Sequence, residues 1–168
     1  MSISDPISDA HPEAIAARGA LETTFAMFSG CQPIYMGVSE DKEAGHHIIG
    51  IISLMGDRAR SFMLCLPAST ATAIAVKFCG FEVPFDSRDM ADVVGEMVNI
   101  LAGSVVARFE AIGVKAQMSL PTVVRGTDID LPKPEGLRIV RMAFATPEGP
   151  LLLNLVAGEA RSVLSKGK

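Results

Sequence analysis

Apolar residues recur along this chain at two different spacings. At residues 12–28 they return every third or fourth position, with Ala17, Leu21, Phe25 and Phe28 on one side, which predicts an amphipathic helix. Pro12 and Glu13 suit its start, because proline has no amide to leave unpaired and an acid meets the positive end of the helix dipole. Ser29 and Gly30 stop it. Short apolar runs follow at 33–39, 46–55 and 60–66, separated by a polar turn at 39–45 and the tight turn Gly56-Asp57, and closed by Pro67. These read as strands. Ser69 is placed to cap an alanine-rich helix at 70–78, and Gly80 to end it.

Beyond a loop at 81–88 the order begins again. A long helical pattern at 89–109 precedes a strand at 114–120, which Pro121 ends. A loop containing Pro132 and Pro134 leads to a strand at 137–145, a turn at 147–149, a strand at 151–157 and a short closing helix at 159–164. Helix, three strands, helix, then the same again: the chain reads as a structural duplication. Hairpin connections imply a mostly antiparallel sheet of six strands, with the two long helices laid together on one face. The fold class is α+β. Residues 1–11, with Pro6, two Asp and three Ser, read as a disordered leader, leaving 12–168 as a single domain.

Composition narrows the function. Hydrophobic residues make up 49 % and charged residues 20 %, with a formal charge of −4, which suits a globular domain and not a binder of phosphate backbones. Cys31, Cys65 and Cys79 show no C-x-x-C spacing and read as reduced thiols of a cytoplasmic protein. The amino terminus lacks the basic start and apolar run of a signal peptide, and Gly50 and Gly103 break the longest apolar stretches. His46 and His47 are adjacent in a strand and point to opposite faces, so they share no metal. Arg58 and Arg60 beside the hairpin read as solvated, and Met90, Met97, Met118 and Met142 as core filler.

The chemistry concentrates on the second long helix. Asp92, Glu96, Asn99 and Gly103 lie at steps of four, three and four, so they form one stripe along the axis. Val93, Val94, Met97, Ile100, Leu101 and Val105 fall across the back. Gly103 costs the helix about 1 kcal/mol relative to alanine, a loss that helix formation does not ask for. It lowers the ridge where another backbone could approach. In the first helix the matching positions are Glu22 and Phe25, so the polar pair is absent there. A carboxylate can grip a lysine or arginine, and a carboxamide both donates and accepts hydrogen bonds, so it can hold a water. Phosphoryl transfer through a loose transition state needs little more than an aligned water and clamped charge. No Ser-His-Asp or Cys-His arrangement, phosphate-cradling glycine loop or metal-ligand spacing is evident. From the residues alone, a plain solvated helix face stays open as the alternative.

Asp92-x-x-x-Glu96-x-x-Asn99-x-x-x-Gly103 resembles the signature of the CheC/CheX/FliY phosphatases of bacterial chemotaxis. Gly50-Ile-Ile-Ser-Leu-Met-Gly-Asp57, Leu66-Pro67 and Ser119-Leu-Pro-Thr-Val123 are similar to the CheX branch. The resemblance implies a phosphatase that hydrolyses the aspartyl phosphate of a CheY-like response regulator. It implies that Glu96 salt-bridges the partner's lysine and Asn99 orients the attacking water. Asp92 and Gly103 are candidate partner contacts on the same stripe, although an acid in the first turn is also favoured by the helix dipole alone. It implies no cofactor of the chain's own, Mg2+ on the phosphorylated partner, and a homodimer. Arg60 departs from the glycine frequent there in relatives. The alternative is a non-catalytic module of the same fold that binds a receiver domain or a motility-switch component. A small-molecule site fits less well, since the polar group lies on a convex ridge.

Overall fold

The computed structural model describes residues 7–40, 44–132 and 135–158. Its elements are α1 (Pro12–Ser29), β1 (Ile34–Val38), β2 (His46–Gly56), β3 (Arg60–Pro67), α2 (Ala68–Cys79), α3 (Arg88–Ala111), β4 (Ala116–Met118), β5 (Thr122–Thr127), β6 (Leu137–Thr146) and β7 (Gly149–Gly158). The strands form one antiparallel sheet in the order β1-β6-β7-β3-β2-β4, with β5 also on β2. The expected α+β class holds. The duplication is visible in the pairing: the hairpins β2–β3 and β6–β7 meet at β3 and β7, and each half's remaining strand crosses to the other half's hairpin.

The sheet has seven strands where six were expected, because the run at 114–120 is not one strand that Pro121 ends. Pro121 interrupts an edge that continues. β4 pairs with β2 at Leu54↔Met118, and β5 resumes on the same strand at Ile51↔Thr122. Proline cannot donate to a ladder, so the chain steps out at 119–121. There Ser119 takes over, its amide donating to the Ser53 carbonyl (2.9 Å) and its hydroxyl accepting from the Ser53 amide (3.1 Å). α2 also differs from expectation. It begins at Ala68 after Pro67, and Ser69 is an exposed first-turn residue that makes no cap. Gly80 does end it, in the left-handed region at φ 81°.

Two further expectations are corrected near α1. Residues 1–6 lie outside the described residues, as does the expected helix at 159–164. Residues 7–11 are part of the packed structure: Ile7 and His11 are buried, Asp9 accepts from the Tyr35 hydroxyl (3.1 Å), and His11 Nδ1 accepts from the Glu13 amide (3.1 Å). Nor are Arg58 and Arg60 solvated. Arg58 Nη2 and Arg60 Nε each donate to fully buried Glu13, both at 2.8 Å, and Arg60 Nη1 reaches Asp57 (2.7 Å). Burial works to lower the Arg60 pKa, and its bonds to Glu13 and Asp57 more than offset that and raise it. The Arg60 hydrogen bond holds the Asp57 carboxyl below its ordinary value. The arginines that a linear reading puts in water are the socket for the start of α1.

α1 and α3 pack together on one face of the sheet, over a core that includes Leu21, Phe25, Ile52, Phe62 and Leu101, all fully buried. α3 is long and apolar enough, by length and composition, to cross a membrane. Its apolar side instead faces this core, and its opposite side carries exposed Asp92 and Glu96. Gly50 sets how closely α3 approaches: a Cβ there would collide with a Val98 methyl and stand 3.4 Å from Val94 Cγ1.

Candidate functional site

The start of α3 is fixed from two directions. The Ser87 hydroxyl accepts from the Met90 amide (3.1 Å) and satisfies one of the free amides of the first turn. Arg125 of β5 donates to the carbonyls of Phe85 (2.8 Å) and Ser87 (2.7 Å), tying the helix start to the sheet edge. From there α3 runs unbroken to Ala111. Met90, Val94, Met97, Leu101 and Val105 are fully buried, so the rotation of the helix is set. Val93 and Ile100, expected across the back, lie on its flank and are half-buried.

That rotation brings all four stripe residues to the outside. Asp92, Glu96 and Gly103 are exposed and Asn99 is half-buried. Glu96 and Asn99 are one turn apart on one face, a spacing at which Cβ atoms stand about 5–6 Å from each other. Among the described residues, neither side chain takes part in a hydrogen bond or ion pair. With respect to the described residues, both keep their bonding capacity. Nothing lies within 4 Å of where a Gly103 Cβ would be, so packing within the chain does not require this glycine. Its effect is to leave the ridge low.

The matching surface on α1 is closed. Phe25 is fully buried and packs against Phe28 with ring centroids 5.4 Å apart, and Glu22 is half-buried. His46 is exposed, with its Nδ1 at 2.9 Å from the Thr127 hydroxyl, whereas His47 is buried. The two do point apart. Met90, Met97 and Met142 are fully buried and Met118 is half-buried. The three cysteines are free, with Cys31 exposed and Cys65 buried. Among the described residues no group of three or more His, Cys, Asp or Glu could hold a metal. A cleft of about 480 Å³ lies between α2 and residues 82–84 and does not include the stripe.

The linear reading missed how the sheet edge flanks this helix. A Cβ on Gly95 would be 3.7 Å from Val123 Cγ2 and 4.0 Å from Pro121 Cγ, so the joint between β4 and β5 runs beside α3. The sequence signal was the Ser-x-Pro pair, a hydroxyl able to replace a missing ladder bond next to the residue that causes the loss.

The family profile of the chemotaxis phosphatase CheX matches residues 48–145, which include the whole stripe. No match was found among curated proteins. Among solved structures, the chain is similar to a CheC-like superfamily protein from Shewanella sp. PV-4, at TM-score 0.77 and 18 % identity over 87 % of this chain and 97 % of that one. The chemotaxis protein CheX from Vibrio vulnificus matches at TM-score 0.77 and 19 % identity, over 86 % and 98 %. CheX from Borrelia burgdorferi, solved in complex with CheY, BeF3 and Mg2+, matches at TM-score 0.66 and 21 % identity, over 88 % and 94 %. At these identities the structural likeness speaks for the fold.

Proposed function

Since the chain belongs to the CheX family of chemotaxis phosphatases, we propose that it accelerates hydrolysis of the aspartyl phosphate on a CheY-like receiver domain in the cytoplasm. The observation that carries this reading is the pair Glu96 and Asn99, turned outward at one-turn spacing with no partner among the described residues. The pair has too little chemistry to act alone. It can complete a centre that brings its own phosphoryl group, lysine and Mg2+. The Borrelia burgdorferi complex of CheX with CheY, BeF3 and Mg2+ supports that division of parts.

In the reaction, a water oxygen attacks phosphorus, the P–O bond to the aspartate breaks with its electron pair left on the carboxylate, and the water's protons leave on the inorganic phosphate. The Asn99 carboxamide accepts from the water and donates to it, holding its lone pair in line. An amide is too weak a base to take the proton, so its contribution is orientation. Glu96 pairs with the receiver lysine beside the phosphoryl group and so sets the depth of docking. Asp92 contacts the partner one turn earlier, and Gly103 admits its backbone. A homodimer belongs to the same reading: β1 ends the sheet with Ile34 and Met36 each 65 % exposed, and sedimentation of the wild-type protein checks it.

The test is phosphate release from phosphorylated CheY-type receiver domains. The wild-type protein should accelerate it, and Asn99→Ala should remove roughly 100-fold or more of that acceleration while binding to a BeF3-activated receiver persists. Full activity in Asn99→Ala overturns the water-positioning role. Binding by the wild type without acceleration would make the chain a receiver-binding module instead.

A further inference from the structure

Resting on the receiver-docking reading above, we propose that Leu120 is a preformed apolar anchor that seats the receiver domain beside Glu96 and Asn99 and sets affinity without taking part in hydrolysis. Leu120 is 88 % exposed, more than any other large hydrophobic residue among those described. Single exposed apolar residues are ordinary on protein surfaces. Two features set this one apart.

The first is rigidity. Leu120 stands on a step of backbone that is pinned on both sides. Ser119 exchanges two hydrogen bonds with Ser53, and its hydroxyl also donates to the Leu120 carbonyl (2.9 Å). Pro121 has its φ locked by its ring, and Thr122 resumes the ladder opposite Ile51. An exposed leucine on a mobile loop would lose backbone freedom on binding. This one has already lost it, so more of its burial appears as affinity.

The second is place. Along the sheet edge, Arg125 meets the start of α3, Val123 pairs with Gly50, and Gly50 lies against Val98. Pro121 and Val123 both lie against Gly95, the residue before Glu96. The step at 119–121 therefore runs beside the turns of α3 that carry Glu96 and Asn99. Half-buried Val93 and Ile100 lie on the other flank. A partner whose phosphorylated aspartate reaches Asn99 comes over this step, and the proposal requires an apolar patch beside its active centre for Leu120 to meet.

Calorimetric titration with a BeF3- and Mg2+-activated CheY-type receiver domain, together with phosphate release at saturating receiver, tests the proposal. Leu120→Ser should weaken binding roughly tenfold or more, the effect of losing one buried leucine side chain. The rate at saturation should be unchanged, and Leu120→Met should restore affinity. Unchanged affinity in Leu120→Ser overturns the proposal, as does a lower saturating rate at equal affinity. Normal receiver binding by a variant that no longer self-associates in sedimentation also overturns it, and assigns the side chain to a contact with a second copy. A wild-type protein that binds no activated receiver overturns both this and the phosphatase reading. Wild-type binding with Leu120→Ser unaffected overturns this one alone.

Discussion

Glu96 and Asn99 share one face of α3, and their chemistry predicts different losses on substitution. In the proposed reaction Asn99 holds a water, so its removal should be read in rate. In the same proposal Glu96 pairs with the receiver's lysine, so its removal should be read in affinity as well. An exposed ion pair contributes at most about 1 kcal/mol, but one covered by a docked partner is shielded from solvent and contributes more. Glu96→Ala should therefore weaken binding of a BeF3-activated receiver by about tenfold or more, with a parallel fall in phosphate release at low receiver concentration. Unchanged affinity by calorimetry would remove the proposed lysine bridge. At this scale the sequence was highly legible. The spacing of four, three and four between Asp92, Glu96, Asn99 and Gly103 is decided by helix geometry alone.

Elements were legible where one periodicity dominated a long window. α3 spans Arg88–Ala111 against an expected 89–109, and α1 spans Pro12–Ser29 against 12–28. β5 was not legible. Its run Thr-Val-Val-Arg-Gly-Thr opens with strand-favouring residues, but it is short, has a glycine inside it and follows a proline that reads as the end of the preceding strand. It is a strand because the open edge of β2 offers it a ladder, and because Arg125 finds the carbonyls of Phe85 and Ser87. Glu13 poses the same problem. Its position in the first turn of α1 looked like a dipole effect. Its partners, Arg58 and Arg60, are distant in the chain and meet it only when α1 docks on the β2–β3 hairpin. Removing one member of a buried ion network leaves the others uncompensated, which costs about 3–5 kcal/mol. Glu13→Ala should lower stability by that amount in chemical denaturation. A loss below about 1 kcal/mol would show that the cluster is solvated like a surface pair.

The whole molecule has near two-fold order in its strands and none in its chemistry. Both long helices lie on one face of a sheet whose strand order reads symmetrically about β3 and β7, yet only α3 presents a polar pair. Where α3 has Asn99, α1 has Phe25, fully buried in the core. With α3 as the proposed working surface and no equivalent on α1, titration with an activated receiver should saturate at one receiver per chain. A stoichiometry of two would require a second surface that α1 does not provide.

The sequence by itself determined the local geometry: which segments coil, where most of them stop, and which side chains share the ridge of α3. These follow from short-range sterics and from patterns that repeat within a single element. Only the tertiary structure decided what that ridge faces. Val98 against Gly50 and Met97 in the core fix the rotation of α3, so Glu96 points to solvent. The broken edge at Ser119 brings Pro121 against Gly95 and leaves Leu120 exposed, and the docking of α1 carries Arg58 and Arg60 from solvent into a buried pairing with Glu13. Each of these depends on atoms far apart in the chain. The free energy that places them comes from burying apolar surface between elements, which no local window contains.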